Sequence, residues 1–455
     1  MADSQFGGAQ AIGNLFKAPE LKEKILFTLI CLAVYRLGAH ITAPGVNLLA
    51  LQGLSGQFQG TAFGLYDMFA GGGLRRATIF ALGIMPYISA SIMFQLLGAV
   101  FPKVEKMQKK EGEEGQRKLT QWTRYTTVVL CVMQSYGYAI FLESQPGVVA
   151  SAGWAFRLQT VLMLTTGGVF IMWLGEQITE RGIGNGMSLL IFFSILQGFP
   201  GAVMSTLEMY TAGGISLFRM AALVAVLIAI VAGVVALEMA QRRIPMQIPR
   251  KVVGRGRVRE GQKSFIPLKV NSAGVMPIIF AQSIIIVPGT LYSFTGAQGA
   301  ASSGIAGTLY DLSQMFQPGT AWYFVTYSIL IIFFTYFYTS IIFNPVDLAE
   351  NLKKQGGFIP GVKPGSATAE YIDKILTRVT LPGSVYLAVI AVLPYWIFEV
   401  FDIQTFFFGG TSLLIIVGVA LRTVQKMQQH LMLRQYEGFM KKGRVGGAAG
   451  GQGYI

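Results

Sequence analysis

The chain has 455 residues, of which 53% are apolar and only 13% charged, and its mean hydropathy is +0.53. Soluble domains carry about 25% charged residues, so this surplus of apolar surface excludes an ordinary soluble fold and directs much of the chain into lipid. The net charge of +14 is concentrated in a few segments between apolar runs.

A spanning helix needs about 20 mostly apolar residues. After an N-terminal segment, 1–21, the first such run is 22–42. It contains Arg36, which has a snorkelling route outward, and it lacks an evident cleavage site, so it reads as a retained span. Phe63 to Ala70 is apolar but too short to span, and Gly71-Gly72-Gly73 follows it. A short helix on a glycine hinge that plugs a pore is one reading of 63–73; an interfacial re-entrant loop is the other. Runs 75–98, 121–142, 154–175 and 185–206 complete an N-terminal half, 22–206. Gly182-Ile-Gly-Asn-Gly186 has the glycine content of a phosphate loop, but it follows a helix and lacks the lysine, so it reads as a hinge and helix start.

Runs 217–238, 271–294, 321–343, 380–401 and 405–425 make a C-terminal half, 217–429, and the fourth of them is interrupted by Pro382 and Pro394. The tail, 430–455, becomes glycine-rich after Gly443, where disorder is expected. The runs are apolar on all faces, whereas barrel strands would alternate. The expected fold class is therefore an all-α integral membrane protein with ten transmembrane helices. Cys31 and Cys131 fall inside spans and read as small buried hydrophobes. His40 and His430 lie far apart, and no metal or cofactor site is expected.

Lysine and arginine give the orientation. Loops 99–120, 239–270 and 344–379 carry six, nine and five basic residues, whereas 43–61, 143–153, 207–216, 295–320 and 402–404 carry none. Basic loops stay cytoplasmic, and ten spans with both termini inside satisfy every loop. Loops 239–270 and 344–379 are also long and shaped by glycine and proline, which points to docking surfaces for an acidic or RNA-containing partner.

Gly83-Ile-Met-Pro-Tyr-Ile88 in the second span is echoed by Gly274-Val-Met-Pro-Ile-Ile279 in the seventh. Five spans separate them, so they run in opposite directions, which is the sign of an inverted repeat with function between the halves. Pro86 and Pro277 each interrupt a helix ladder, as structural kinks or as bends in two helices that part. Ser89, Ser91 and Gln95 on one helix and Asn271, Gln282 and Ser283 on the other either pair across that seam or act as ordinary interhelical glue.

Catalytic motifs are missing: there is no Gly-Lys dipeptide, no HExxH and no Cys-x-x-Cys. The span interiors are nearly free of charge, unlike those of ion-coupled carriers. A passive conduit, not an enzyme, fits best, and a small-molecule secondary transporter with inverted repeats is the alternative.

Several strings are more specific. Ala81-Leu-Gly-Ile-Met-Pro-Tyr-Ile-Ser-Ala90, Lys110-Glu-Gly-Glu-Glu-Gly115, Ile178-Thr-Glu-Arg-Gly-Ile-Gly-Asn-Gly186, Arg242-Arg-Ile-Pro245, Gly274-Val-Met-Pro277, Gly356-Gly-Phe-Ile-Pro-Gly361 and Gly409-Gly-Thr-Ser-Leu-Leu414 together resemble the SecY/Sec61-alpha family from about residue 15 to 444. The resemblance implies an hourglass channel for unfolded secretory chains that also releases membrane helices sideways into lipid, in a bacterial inner membrane. It implies a constriction ring at Ile84, Ile88, Met187, Ile191, Ile279 and Ile415. It implies a plug over about 63–73, including Phe63, Leu65, Tyr66, Met68, Phe69, Gly71, Gly72 and Gly73. A lateral gate would set the second span against the seventh and eighth, with Pro86, Ser89, Gln95, Asn271, Pro277, Gln282 and Ser283 along it. Arg255, Arg257 and Lys363 would dock the SecA ATPase or a translating ribosome. SecE would clamp the halves, SecG would sit at the periphery, and the SecDF complex and a YidC-type insertase would join the wider set of partners. Three positions depart from the family: Lys363 replaces an arginine, Gly256 separates the loop-tip arginines, and Met187 replaces an isoleucine.

Overall fold

The computed structural model describes residues 19–53, 62–109, 112–247, 251–253, 257–259, 263–294, 305–317, 319–401 and 410–448. Most of the N-terminal segment, Arg255 and the last seven residues lie outside them.

A helix stands at each of the ten apolar runs. In the N-terminal half these are α1 (Pro19–Gly38), α4 (Met85–Val100), α6 (Gly112–Ser144), α7 (Trp154–Arg181) and α8 (Gly186–Thr211). In the C-terminal half they are α9 (Leu217–Met239), α10 (Met276–Phe294), α12 (Ala321–Ile342), α14 (Ser366–Phe401) and α15 (Gly410–Ala448). Seven described helices are long and apolar enough to cross a membrane, and α4 and α10 contribute shorter apolar helices. Shorter elements between them are α2 (Leu48–Gly53), α3 (Ala62–Phe69), α5 (Pro102–Lys109), α11 (Ile305–Met315) and α13 (Pro345–Lys354). The last helix runs past Gly443, so the glycine-rich composition does not end it there.

Polar side chains start several of these helices. Asn185 caps α8 by accepting from the Ser188 amide at 3.2 Å, as the hinge reading of Gly182–Gly186 expects. Ser216 caps α9 and Thr320 caps α12 in the same way. Large apolar side chains such as Leu29 and Leu37 on α1 and Phe218 and Ile228 on α9 are exposed. On a membrane protein this is the surface that lipid covers, because hydrocarbon is as apolar as the side chains.

The second span departs from expectation. The run 75–98 is helical only from Met85; residues 70–84 are a largely buried chain of tight turns with left-handed backbone at Gly71, Gly72, Ala77 and Gly83. Irregular backbone at membrane depth survives only where protein satisfies it, and here Ala43 N donates to Ala77 O at 2.7 Å and Ile79 N to Ile41 O at 2.9 Å. The prolines also differ from expectation. Pro86 is the second residue of α4 and Pro277 the second of α10. In the first turn a proline lacks only an N–H that would have had no helical partner, so both start helices and neither kinks one. Three residues ahead of each stands a left-handed glycine, Gly83 at φ +55 and Gly274 at φ +70. The inverted repeat is thus the same backbone device used twice: a glycine turn followed by a proline-started helix.

The halves meet along two seams. α10 packs against α4 and α6, and α15 packs against α8. Between them α3 touches both α8 and α10.

The all-α expectation needs one addition. Loop 239–270 folds into an arm in which β1 (Gln241–Gln247) pairs antiparallel with β4 (Lys263–Lys269), and β2 (Lys251–Val253) pairs with β3 (Arg257–Arg259) beyond them. In Arg242-Arg-Ile-Pro-Met only Ile244 is buried, and both basic side chains lie outward. The two basic loops form one body. Gln247 and Phe358 exchange backbone hydrogen bonds at 2.9 and 3.0 Å, and Ile244 and Leu268 share a small apolar core with Leu352, Ile359 and Ile372.

Candidate functional site

The short helix α3 carries the expected plug residues. Tyr66 and Phe69 are buried, Met68 is half-buried, and the side chains of Phe63 and Leu65 lie outside the described residues. After Phe69 the chain turns back through Gly71 and Gly72 at φ +63 and +74, a conformation that glycine adopts without strain. The turn is stapled by a residue that sequence reading passed over. Asp67, fully buried, accepts from the Leu74 amide at 2.9 Å and the Arg75 amide at 3.0 Å, and it pairs with the Arg75 guanidinium. A buried carboxylate is tolerable with that many donors. An acid inside an apolar octet, with Arg75-Arg76 just downstream, was the available signal. Two tyrosines pin the returning segment: Tyr66 donates to Leu82 O at 2.9 Å, and Tyr138 on α6 donates to Leu74 O at 2.6 Å.

Five of the six candidate ring residues, Ile84, Ile88, Ile191, Ile279 and Ile415, are buried at 5% exposure or less within one continuous apolar core. They come from α8, α10, α15 and the start of α4, the elements that border both seams. Ile84 immediately precedes α4, and Ile88 lies one helical turn into it. Met187 differs. It is half-buried, and its sulfur packs into the space above Gly175 on α7, so part of its side chain is engaged by the helix wall.

The polar residues expected along the gate do not pair across the α4–α10 seam. Ser283 donates to Ile279 O of its own helix at 2.8 Å, and Gln95 donates to Ser91 on its own helix at 3.2 Å. Asn271 faces back to α9, where its amide donates to Glu238 at 2.6 Å. Gln282 is fully buried, whereas Ser89 is half-buried. Apolar packing closes the seam, since local back-bonding is open to any serine on a helix.

Several charged groups close to the core form pairs between helices. Arg124 on α6 bonds Glu176 on α7 at 2.8 Å, and Arg157 on α7 pairs with Glu143 on α6 at 2.6 Å. Glu238, the penultimate residue of α9, faces Arg422 on α15. The sequence does not show that each of these groups has a partner on another helix. Arg36 sits two residues before the end of α1, and its guanidinium Nη1 is buried without a hydrogen-bond partner among the described residues, so the expected outward route is not the one it takes. Of the candidate docking residues, Lys363 is exposed on the loop after Ile359, Arg257 lies in β3, and Arg255 falls outside the described residues.

Two halves packed through a continuous apolar core, with a short helix held between them, are therefore in place. The family model of SecY matches residues 78–424. The chain belongs to the SecY family. Protein translocase subunit SecY of Escherichia coli strain K12 is 46% identical over 435 residues, covering 94% of this chain and 96% of that protein. A SecY structure in which the plug domain is described as stabilising the closed state of the translocation channel and maintaining a membrane seal aligns with TM-score 0.65 at 18% identity, covering 92% of this chain and 96% of that one. Sec61 in the canine ribosome–channel complex from the endoplasmic reticulum aligns with TM-score 0.58 at 18% identity, over 92% and 96% of the two chains. This SecY-family chain is a protein-conducting channel, and the small-molecule transporter alternative is not supported.

Proposed function

We propose that this SecY-family channel passes unfolded polypeptides outward through the point where α3 lies between α8 and α10, and releases apolar segments into lipid along the α4–α10 seam. One observation carries the reading: a helix too short to span is held between the two halves, touching one helix from each. In the closed state Ile84, Ile88, Ile191, Ile279 and Ile415 form the seal, with Met187 as its adaptable member. A constriction of such side chains dewets when empty and blocks ions, yet offers no fixed hydrogen-bond pattern to favour one passing residue over another. Residues 63–73 are the plug. Pro86, Ser89, Gln95, Pro277, Gln282 and Ser283 line the helices that separate laterally, with α12 behind α10 and Asn271 in the segment just ahead of α10.

Ten crossings with both termini in the cytoplasm agree with the alternation of basic and uncharged loops. That orientation puts the β arm and the 344–379 loop on the cytoplasmic face of a bacterial inner membrane. There the two joined loops would bind the SecA ATPase or a translating ribosome, with SecE clamping the halves and SecG at the edge. The chain has no nucleotide-binding motif, so the driving energy comes from the partner or the proton-motive force.

The test is reconstitution with SecE and SecG, followed by SecA, ATP and a radiolabelled secretory precursor. ATP-dependent protection of the precursor from added protease is the expected result. Absence of protection in vesicles that take up a small solute would overturn the reading.

A further inference from the structure

We propose that Glu238, Asn271 and Arg422 form a buried latch that makes the cytoplasmic arm and the gate helix α10 move as one body. The inference rests on the channel reading above and assigns a positioning role to three residues outside ring, plug and docking tips.

The geometry is set at the two feet of the arm. Glu238 lies three residues before β1, and Asn271 two residues after β4. The feet are paired, since Val270 N donates to Ala240 O at 3.0 Å. Glu238 is 4% exposed and Asn271 1%. The Asn271 amide donates to Glu238 Oε1 at 2.6 Å, while Asn271 Oδ1 accepts from the Gly274 amide at 2.8 Å. One side chain therefore connects the end of α9 to the glycine turn from which α10 starts. The other oxygen of Glu238 faces the Arg422 guanidinium of α15 at 3.6 Å, an ion contact too long for a hydrogen bond.

The guanidinium has a second role. It occupies the space a side chain at Gly274 would fill. Gly274 thus serves two constraints: the left-handed turn at φ +70 and contact with a charged group where any Cβ would collide. One helical turn before Arg422, Gly418 packs on Val275, and one turn after it Gln425 accepts from Lys269 at the end of β4 at 3.0 Å. α15 therefore grips both the arm and the first turn of α10.

A buried carboxylate facing a guanidinium is a poor source of stability, because desolvation offsets much of the attraction. It is directional, however: tilting the arm moves Glu238, and Asn271 transmits that motion to the α10 start. α10 carries Ile279 and α15 carries Ile415 of the candidate seal. Load applied to the arm is delivered at the seam and at the constriction together.

The experiment uses the complex with SecE and SecG in planar bilayers, with SecA affinity and SecA-dependent conductance measured separately. Arg422→Gln should leave SecA affinity within about twofold and lower SecA-dependent opening by about fivefold or more, the lower end of allosteric couplings. Arg422→Lys, which keeps the charge, should restore most of it. Gly274→Ala supplies a second route, because its methyl displaces the guanidinium without removing it. In the Arg422→Gln background the added methyl finds room, so the two changes should be less than additive. A merely structural role would lower melting temperature and affinity together and show no rescue by lysine. Wild-type opening in Arg422→Gln, or strict additivity with Gly274→Ala, would overturn the latch while leaving the channel reading intact. A wild-type complex that fails to translocate any precursor would overturn the channel reading and the latch with it.

Discussion

The Ser412 hydroxyl of α15 donates to the Met68 thioether of α3 at 3.0 Å, a contact that joins residues 344 positions apart and ties the short central helix to the C-terminal half. Ser412 is fully buried, so its hydroxyl has no water to turn to when the contact breaks. The rest of the α3 segment is fastened to the N-terminal half, through Tyr66 to Leu82 and Tyr138 to Leu74. The candidate plug is thus hydrogen-bonded mainly to the N-terminal half, while it also packs on α10 of the C-terminal half.

Removing the Ser412–Met68 contact should loosen the closed state without unfolding anything. A hydrogen bond contributes about 0.5–1.5 kcal/mol net, and a thioether is a weak acceptor. Ser412→Ala is expected to raise the resting open probability about two- to fivefold in planar bilayers. Met68→Leu, which keeps the volume and loses the acceptor, should do the same. Resting conductance unchanged in both variants would show that the contact has no part in holding the plug.

Packing at the fifth span makes a second prediction. Gly186, the first residue of α8, lies against the Gly175 carbonyl on α7, and a methyl there would also meet Ile178 Cβ at 2.8 Å. Backbone cannot yield as a flexible side chain can, so Gly186→Ala must push α7 and α8 apart. Overpacking of this kind costs about 1–3 kcal/mol, and the apparent melting temperature should fall by several degrees. Cys31 and Cys131 are both free and buried, so the wild-type chain reports its own unfolding when a thiol-reactive dye gains access on heating. A variant that releases its thiols at the wild-type temperature would contradict the close approach.

How much of this was legible beforehand follows the physics of each feature. All ten apolar runs could be read because lipid imposes a length and an unbroken apolar composition on each helix. The glycine–proline repeat could be read because both residues restrict the backbone by themselves. The true start of α4 could not: Ala77 to Ile84 is as apolar as a spanning helix, and what keeps it unwound is tertiary, a set of carbonyls satisfied by Tyr66, Tyr138 and the 39–43 segment. The arm was expected as a loop because its strands are short and stabilised by the apolar core shared with the 344–379 loop, a contact about 100 residues away in sequence. Whether the polar gate residues pair across the seam or act as ordinary interhelical glue stayed open in the sequence, because residue type and helix face can be read there, whereas choice of partner cannot. Asp67 was hidden in an apolar context and becomes meaningful only when Leu74 and Arg75 turn back onto it.

The constriction gives a third prediction. Each branched side chain at Ile84, Ile88, Ile191, Ile279 and Ile415 fills the core to 5% exposure or less. Replacing three or more of them by glycine removes apolar wall and leaves space that water can enter, ending the dewetted block. Resting ion leak in planar bilayers should rise by an order of magnitude or more. Glycine at Met187 alone should have a smaller effect, because its sulfur lies over Gly175. Conductance equal to wild type in the multiple variant would remove these residues from the seal.

The docking surface gives the last. The arm and the second loop form one body through Gln247–Phe358 and the Ile244–Leu268–Ile359 core, so a partner docking there would meet charges of both loops. Lys363 is exposed there, and its carbonyl is held by Thr368 Oγ1 at 2.8 Å, which fixes the loop while leaving the ammonium in solvent. A lysine acts as a point charge without the two-pronged recognition of arginine, so its contribution should be long-range and sensitive to salt. Charge reversal at Lys363 is expected to weaken SecA or ribosome binding about three- to tenfold at low ionic strength, mainly through slower association. Reversal at Arg255 and Arg257 together should add to this, and at high salt the gap to wild type should shrink as the charges are screened. A binding titration with the same affinity and the same salt slope for reversed and wild-type chains would reduce the basic residues of both loops to signals of membrane orientation.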